Sequence, residues 1–412
     1  MTLLYEIYQF PNGIRLVHRQ TTSPVAHFGV VVNAGARDEL AHEQGMAHFI
    51  EHMIFKGTRK RSAFQVINRL DNVGADMNAF TTKEETCVYA SFLTSHYSRA
   101  IELLSDIIFN STFPDKEMIK EKAVVVDEIN SYKDNPAEWI HDEFDEVLFP
   151  GHQLGKNILG TPAQLKKYSR ADLSGFIQRL YSTHQIVLSS VGDLPFKQLV
   201  KLAGKYFGSQ PERVGNPGRI PSLDYRQQSI SRKFGRHQAH LIMGNLAFNQ
   251  LDDRRIPMAL LNNLLGGPAM NSRLNLALRE KHGIAYNLES NYQPLSDTGL
   301  FTIYLGTDEK MVEKAMGLVN KELEKLRVQQ LGSSQLRIAK EQLKGQLAIS
   351  MEANQGEMIA IGKSILVFNK VDTIQDIYSK IDQVSAAGLV EVANQVFDPG
   401  QISVLVFNNK HN

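Results

Sequence analysis

Strands alternating with helices, laid out twice along 412 residues, are the fold that this sequence predicts. Three observations carry the prediction. The length suits two or three domains, each large enough to bury its own core. Residues 209–222, SQPERVGNPGRIPS, are rich in Pro, Gly and Ser and show no apolar periodicity, the signature of a linker. The segments on either side repeat one order of elements. This gives a first domain over residues 1–210, a linker over 211–222 and a second domain over 223–412.

The elements follow in order. Residues 4–10 and 13–20 read as strands about a turn at Pro11-Asn12-Gly13, and 25–33 as a third strand. A helix near 44–55 comes next. The second half opens with strands near 228–234 and 237–246 and a helix near 253–265. The halves also end alike. The stretch that begins at Ser169 aligns without gaps to the one that begins at Ser385, with Ala171 on Ala387, Leu173 on Leu389, Gln185 on Gln401 and Ile186 on Ile402. Phe176, Leu180 and Tyr181 meet Val392, Val396 and Phe397. Both stretches read as helix, short turn and strand. Patterning alone forces some matches, but agreement of position and order favours an internal duplication. If the halves are duplicates, Met46 roughly matches Met258, and apolar residues occupy the histidine positions of the second half, which is expected to hold no metal.

The helix near 44–55 carries the chemistry. Its sequence, GMAHFIEHMIFKGT, holds His48, Glu51 and His52 in the order H-x-x-E-H. His48 and His52 are about 40° apart around a helix axis, so both imidazoles can reach one metal ion. Glu51 lies about 60° to the other side of His48, beside the pair but outside it. This is the arrangement of two ligands and one general base for zinc-assisted attack of water on an amide. The alternative is an amphipathic helix with two surface histidines.

A catalytic zinc needs a third protein ligand. The helical stretch Asp115 to Tyr132 offers Glu121 and Glu128, seven residues apart and so on one face. Glu128 follows an apolar run, Val124 to Val126, and precedes Ile129. A carboxylate in that setting calls for a partner, either a metal or a lysine or arginine.

With these motifs in place, the chain resembles the pitrilysin family of inverted-motif zinc peptidases. It is similar to the short two-domain branch that includes mitochondrial processing peptidase and its bacterial relatives. The resemblance runs from about Tyr8 to Phe407. It implies His48, His52 and Glu128 as ligands of one Zn2+ per chain, Glu51 as the base and Glu121 as an outer carboxylate that orients a ligand or tunes the base. It also covers residues 74–89, GADMNAFTTKEETCVY, and implies that an extended peptide adds as a strand at Asn78, Ala79 and Phe80. In the second half GGPAMNSRLNLALREKHGIAY resembles the family's loop, helix and R-x6-Y pair, here Arg279 and Tyr286, which implies a substrate or oxyanion contact. Asn271 and Asn275 depart from the residues common there. The architecture implied is α+β: two related domains, each a mostly antiparallel sheet with helices packed on one face, as in processing peptidases.

Bulk properties narrow the function. The formal net charge of +1 selects neither nucleic acid nor an anionic membrane, and no basic run interleaved with aromatics is present. The single cysteine, Cys87, excludes an internal disulfide and a cysteine zinc site. The N-terminus lacks the pattern of a secretory signal and no window of eighteen apolar residues occurs, so a cytoplasmic protein without a membrane span is expected, although a chain trimmed of a targeting segment would read the same way. The expected function is zinc-dependent endopeptidase action on extended or unfolded peptides inside a closed chamber. A homodimer is expected, its sites shared between chains, because each chain carries both half-sites. The alternatives are a non-catalytic partner subunit and a peptide-binding module of the same fold.

Overall fold

The computed structural model describes residues 4–215, 218–222, 225–235 and 238–409. Residues 216 and 217 of the expected linker, and 237 of an expected strand, lie outside them. The chain forms two compact units. The first comprises residues 1–130, 156–220 and 349–371, and the second 131–155, 221–348 and 372–412.

In the first unit a six-stranded sheet has the order β1-β2-β6-β3-β5-β4. Its strands are β1 (Glu6–Gln9), β2 (Arg15–Gln20), β3 (Val25–Val32), β4 (Asp76–Thr81), β5 (Thr86–Leu93) and β6 (Ile186–Gly192). All pairings are antiparallel except β2 with β6. Alternation divides the side chains. Leu16, Phe28, Val30, Val88 and Leu188 face a core built with Met46, Phe49, Ile50 and Met53 of the helix Met46–Met53 and Ile101 and Leu104 of the helix Tyr97–Asn110. Val17, Val187 and Val191 face the other way, onto Met358, Ile361 and Ile365 of the helix Asn354–Phe368.

The second unit repeats the plan. Its sheet has the order β7-β11-β8-β10-β9, from β7 (Ser229–Gly235), β8 (Ala239–Ala247), β9 (Leu288–Pro294), β10 (Gly299–Thr307) and β11 (Ser403–Asn409). The parallel pair is β7 with β11, in the place of β2 with β6. The helices Arg170–Leu180 and Ala386–Val396 each lead into the strand of that pair, β6 and β11. This is the repeated helix–strand unit of the sequence. Leu241, Phe301 and Ile303 face a core with Met258, Leu261 and Val392. The opposite face, with Ile242, Tyr304, Leu405 and Phe407, is covered by Ile140, Phe144 and Val147 of the helix Pro136–Leu148.

Each sheet is therefore apolar on both faces, and the second face is closed by a helix from the other half of the sequence. The periodicities reveal strands and helices but not this exchange, since nothing local in an amphipathic helix states which sheet it covers. The linker is also less free than its composition suggests. Its 211–215 stretch lies along the first unit, where the carbonyl of Arg213 accepts hydrogen bonds from Thr183 and Ser182 and that of Gly215 accepts one from Gln185.

Phe144 is fully buried and lies against β8 at Gly244, where a Cβ would come within 2.9 Å of its ring. Phe144→Ala should lower the stability of the second unit by about 3–5 kcal/mol, the range for deleting a buried aromatic ring. Urea unfolding followed by circular dichroism checks this, and an unchanged midpoint would mean that this helix is not part of the second unit's core.

Candidate metal centre and active site

The helix Met46–Met53 has two faces. Met46, Phe49, Ile50 and Met53 recur at helical spacing and are buried in the core, which turns His48, Glu51 and His52 the other way. Facing it is the helix Asp115–Lys133. Its apolar run is only partly core: Val125 and Ile129 are buried, while Val124 is half exposed.

The geometry brings His48, His52 and Glu128 together. Each offers one ligand atom, and the three atoms lie within 4.8 Å of one another. His48 Nε2 is 3.7 Å from Glu128 Oε1, and His52 Nε2 is 3.5 Å from Glu128 Oε2. The two rings meet edge to face with centroids 4.6 Å apart. Of the two partners left open for Glu128, neither lysine nor arginine pairs with it among the described residues. Two imidazole nitrogens and a carboxylate oxygen with an open side are the donor set of a catalytic zinc. The cluster fits such an ion.

Glu121 stands behind it. Its Oε1 is 2.9 Å from His52 Nδ1 and its Oε2 is 2.7 Å from Lys56 Nζ. Since a carboxylate only accepts, His52 donates from Nδ1 and its Nε2 lone pair is free toward the cluster. Burial opposes charge on both groups, but their hydrogen bond and the neighbouring charges prevail: His52 is shifted up and Glu121 down. Burial and the neighbouring His52 hold His48 down to about 4, which keeps its imidazole neutral and able to ligate. Burial raises the carboxyl of Glu51, whose Oε2 is buried with no hydrogen-bond partner. A carboxylate beside three metal donors, hydrogen-bonded to Thr81 but with one buried oxygen unpartnered, is disposed to take a proton at that oxygen.

Asn78, Ala79 and Phe80 lie in β4, the end strand of the first sheet, paired only with β5. The Asn78 side chain accepts a 2.8 Å hydrogen bond from the Ala79 N–H. Arg279 and Tyr286 belong to the second unit. They line a recess of about 580 Å³ together with Tyr132, Glu138, His141 and Glu289. Tyr286 is 61% exposed, and Arg279 makes no ion pair among the described residues.

Two contributors escape the sequence reading. Lys56 lies just past the end of the helix, four residues beyond His52, and reaches Glu121 as its second partner. Glu39 is 3% exposed in a loop ahead of the helix and accepts hydrogen bonds from the Gly45 and Ala47 N–H groups. Its only sequence signal is a cluster of charges, Arg37-Asp38-Glu39, between an apolar strand and the histidine helix.

Comparison with known proteins is consistent with this geometry. Residues 15–162 match the profile described as insulinase, peptidase family M16, and residues 167–343 match the peptidase M16 inactive domain. A relative from Bacillus subtilis, named an uncharacterized zinc protease, is 34% identical over 95% of each chain. Another from Rickettsia bellii, named likewise, is 30% identical over 98% of each. Among solved structures, a peptidase M16 inactive domain from Pseudomonas fluorescens superposes with a TM-score of 0.92 at 18% identity, covering 99% of each chain. A protease from Helicobacter pylori gives 0.89 at 19% identity, covering 98% of this chain and 99% of that one. By sequence over nearly its whole length and by fold, the chain belongs to the insulinase, or M16, family of peptidases.

Proposed function

We propose that this protein is a zinc-dependent endopeptidase acting on extended or unfolded peptides. The observation that carries the proposal is the three-donor cluster with a carboxylate beside it, one oxygen of which, Glu51 Oε2, is buried and unpartnered. A site closed by four protein ligands would be structural, whereas three ligands leave a position for chemistry.

His48, His52 and Glu128 would hold one zinc per chain. When bound, the ion supplies Lewis-acid polarisation and lowers the pKa of a coordinated water. Glu51 takes a proton at Oε2 as the water oxygen bonds to the scissile carbonyl carbon, then gives it to the nitrogen as the C–N bond breaks. Glu121 keeps His52 in the tautomer that presents Nε2. The substrate backbone would extend β4 along Asn78–Phe80, and the Asn78 side chain would turn aside to free the Ala79 N–H. Arg279 and Tyr286 would hold the substrate backbone or the developing oxyanion. In a homodimer each site would draw them from the second chain, and the enclosed chamber would select unfolded peptides by size. A non-catalytic role fits less well, because every group needed for proton transfer is retained. Among the described residues no helix is long and apolar enough to cross a membrane.

Three outcomes are expected. The purified protein should hold about one zinc per chain by elemental analysis, and His52→Ala should lose both metal and activity. Absence of divalent metal, with cleavage indifferent to 1,10-phenanthroline, would defeat the assignment. Glu51→Gln should lose at least ~10²–10⁴-fold in peptide turnover with zinc content unchanged, because the amide keeps the shape but cannot take the proton. Turnover near normal, or loss of zinc as in His52→Ala, would remove Glu51 from this role. Finally, Glu51→Gln and Arg279→Ala/Tyr286→Phe, each nearly inactive, should regain activity when mixed under subunit exchange confirmed by native mass spectrometry. One site of the mixed dimer is then wholly wild type, so activity should approach half the wild-type value per mixed dimer. Exchange without recovery would rule out sharing of sites.

A further inference from the structure

The two histidines of the cluster are held differently. His52 has Nδ1 fixed by Glu121. His48 Nδ1 is buried and has no hydrogen-bond partner. No side-chain bond therefore fixes the His48 ring from behind, and its aim follows from the backbone of the first helical turn. That turn is poorly defined by its own sequence. The helix has only eight residues, too few to be stable by propensity. It begins at Gly45 in the left-handed region, φ 90°, with no side-chain cap. The first N–H groups of a helix need acceptors from elsewhere.

Glu39 supplies them from outside the helix. Its Oε2 accepts from the Gly45 N–H and its Oε1 from the Ala47 N–H, both at 2.9 Å. The two donors bracket Met46 and end one residue before His48. Glu39 is itself fixed by a loop with few degrees of freedom. Asp38 accepts a two-pronged bond from Arg219, 2.9 Å on each side, and a bond from the Gly35 N–H. Arg37 pairs with Glu84, and Glu43 with Arg179. Behind Gly45 there is no slack: a Cβ there would stand 2.6 Å from the Leu159 carbonyl oxygen.

We infer that Glu39 is a positioning residue for the metal centre, its two carboxylate oxygens fixing the first turn of the histidine helix and through it the aim of His48. The inference rests on the zinc reading of the cluster. It assigns each histidine its own carboxylate anchor, Glu121 through a ring nitrogen and Glu39 through the backbone. Glutamine at 39 would keep one acceptor and turn an N–H2 toward the other N–H. Aspartate would keep the carboxyl group but lose the reach to span both donors.

The test compares full-length Glu39→Gln and Glu39→Asp with Ser62→Ala. Ser62 caps the neighbouring helix Ala63–Asp71 by accepting from the Gln65 N–H, so its removal supplies a cap loss in the same unit away from the cluster. Zinc affinity is measured by competition with a chromogenic chelator, and metal-free thermal midpoints are measured alongside. Glu39→Gln should weaken zinc binding about 10–100-fold, as loss of an outer anchor usually does, and lower kcat with KM little changed. Glu39→Asp should fall between it and the wild type. Ser62→Ala should lower the thermal midpoint while zinc affinity stays at the wild-type value. In the metal-free protein, hydrogen exchange at the Gly45 and Ala47 amides should quicken in the Glu39 variants and stay at the wild-type rate in Ser62→Ala. Wild-type zinc affinity in both Glu39 variants, or an equal loss in Ser62→Ala, would overturn the inference. Should Glu39→Gln not fold, the same comparison of Glu39→Asp with Ser62→Ala decides it. Wild-type protein that binds no zinc would instead overturn the function proposed above, so the two failures are distinct.

Discussion

The Glu121 carboxylate ties together the two helices on which the site depends. It lies on one helix and grips His52 and Lys56, which lie on and just beyond the other. Both of its oxygens are engaged and it is 6% exposed, so it is a charged group in a largely dry setting. Removal from water is costly for such a group unless partners compensate, and here a cation and an imidazole N–H do so. The energy of that compensation holds the helices in register. Glu128 follows Glu121 by two turns on the same helix. Its approach to the imidazoles is thus a consequence of where Glu121 is anchored. A metal ion would find three donors already gathered.

The rest of the fold supports this junction from behind. The helix that carries the histidines is amphipathic in a specific sense: the face at positions 46, 49, 50 and 53 is core, and chemistry occupies what is left. The sheet beneath is covered on its far side by a helix supplied from the other half of the chain, with Gly362 leaving room for close approach to Val31 and Ser189. The second unit has the same strand order but for the end strand β1, and the same parallel pair, yet Leu260 and Leu264 stand where His48 and His52 stand in the metal-binding helix, and both pack on its core. One ancestral plan thus serves chemistry in one copy and packing in the other.

What the sequence revealed, and what it hid, follows from the range of each signal. The helix Met46–Met53 was legible because burial of one face writes a local period, and the strands β2, β3 and β8 because a short apolar run bounded by turn residues reads as a strand buried on both faces. His48, Glu51 and His52 were legible because one helix sets their spacing. Glu128 was less so. Periodicity placed it on a helix, but its meeting with the histidines depends on a contact across some eighty residues, which only the resemblance implied. Glu39 was invisible for a related reason. Its partners are backbone N–H groups, which leave no mark in the identity of the residues that carry them. The covering of each sheet's second face was likewise unreadable, since Phe144 and Ile361 are apolar residues that any sheet would accept.

That last feature bears on how the molecule came to be. A gene cut at the linker would yield two polypeptides, each with a sheet bare on one side and an orphan helix suited to its counterpart. Neither piece would be self-sufficient, so if the halves arose by duplication, that event did not leave two independent modules on one string. The single copy that preceded it would have met the same difficulty. It could satisfy itself only by trading that helix with an identical copy. The covalent chain is then the record of an intertwined pair made permanent, and its two halves are bound by topology as much as by the peptide between them.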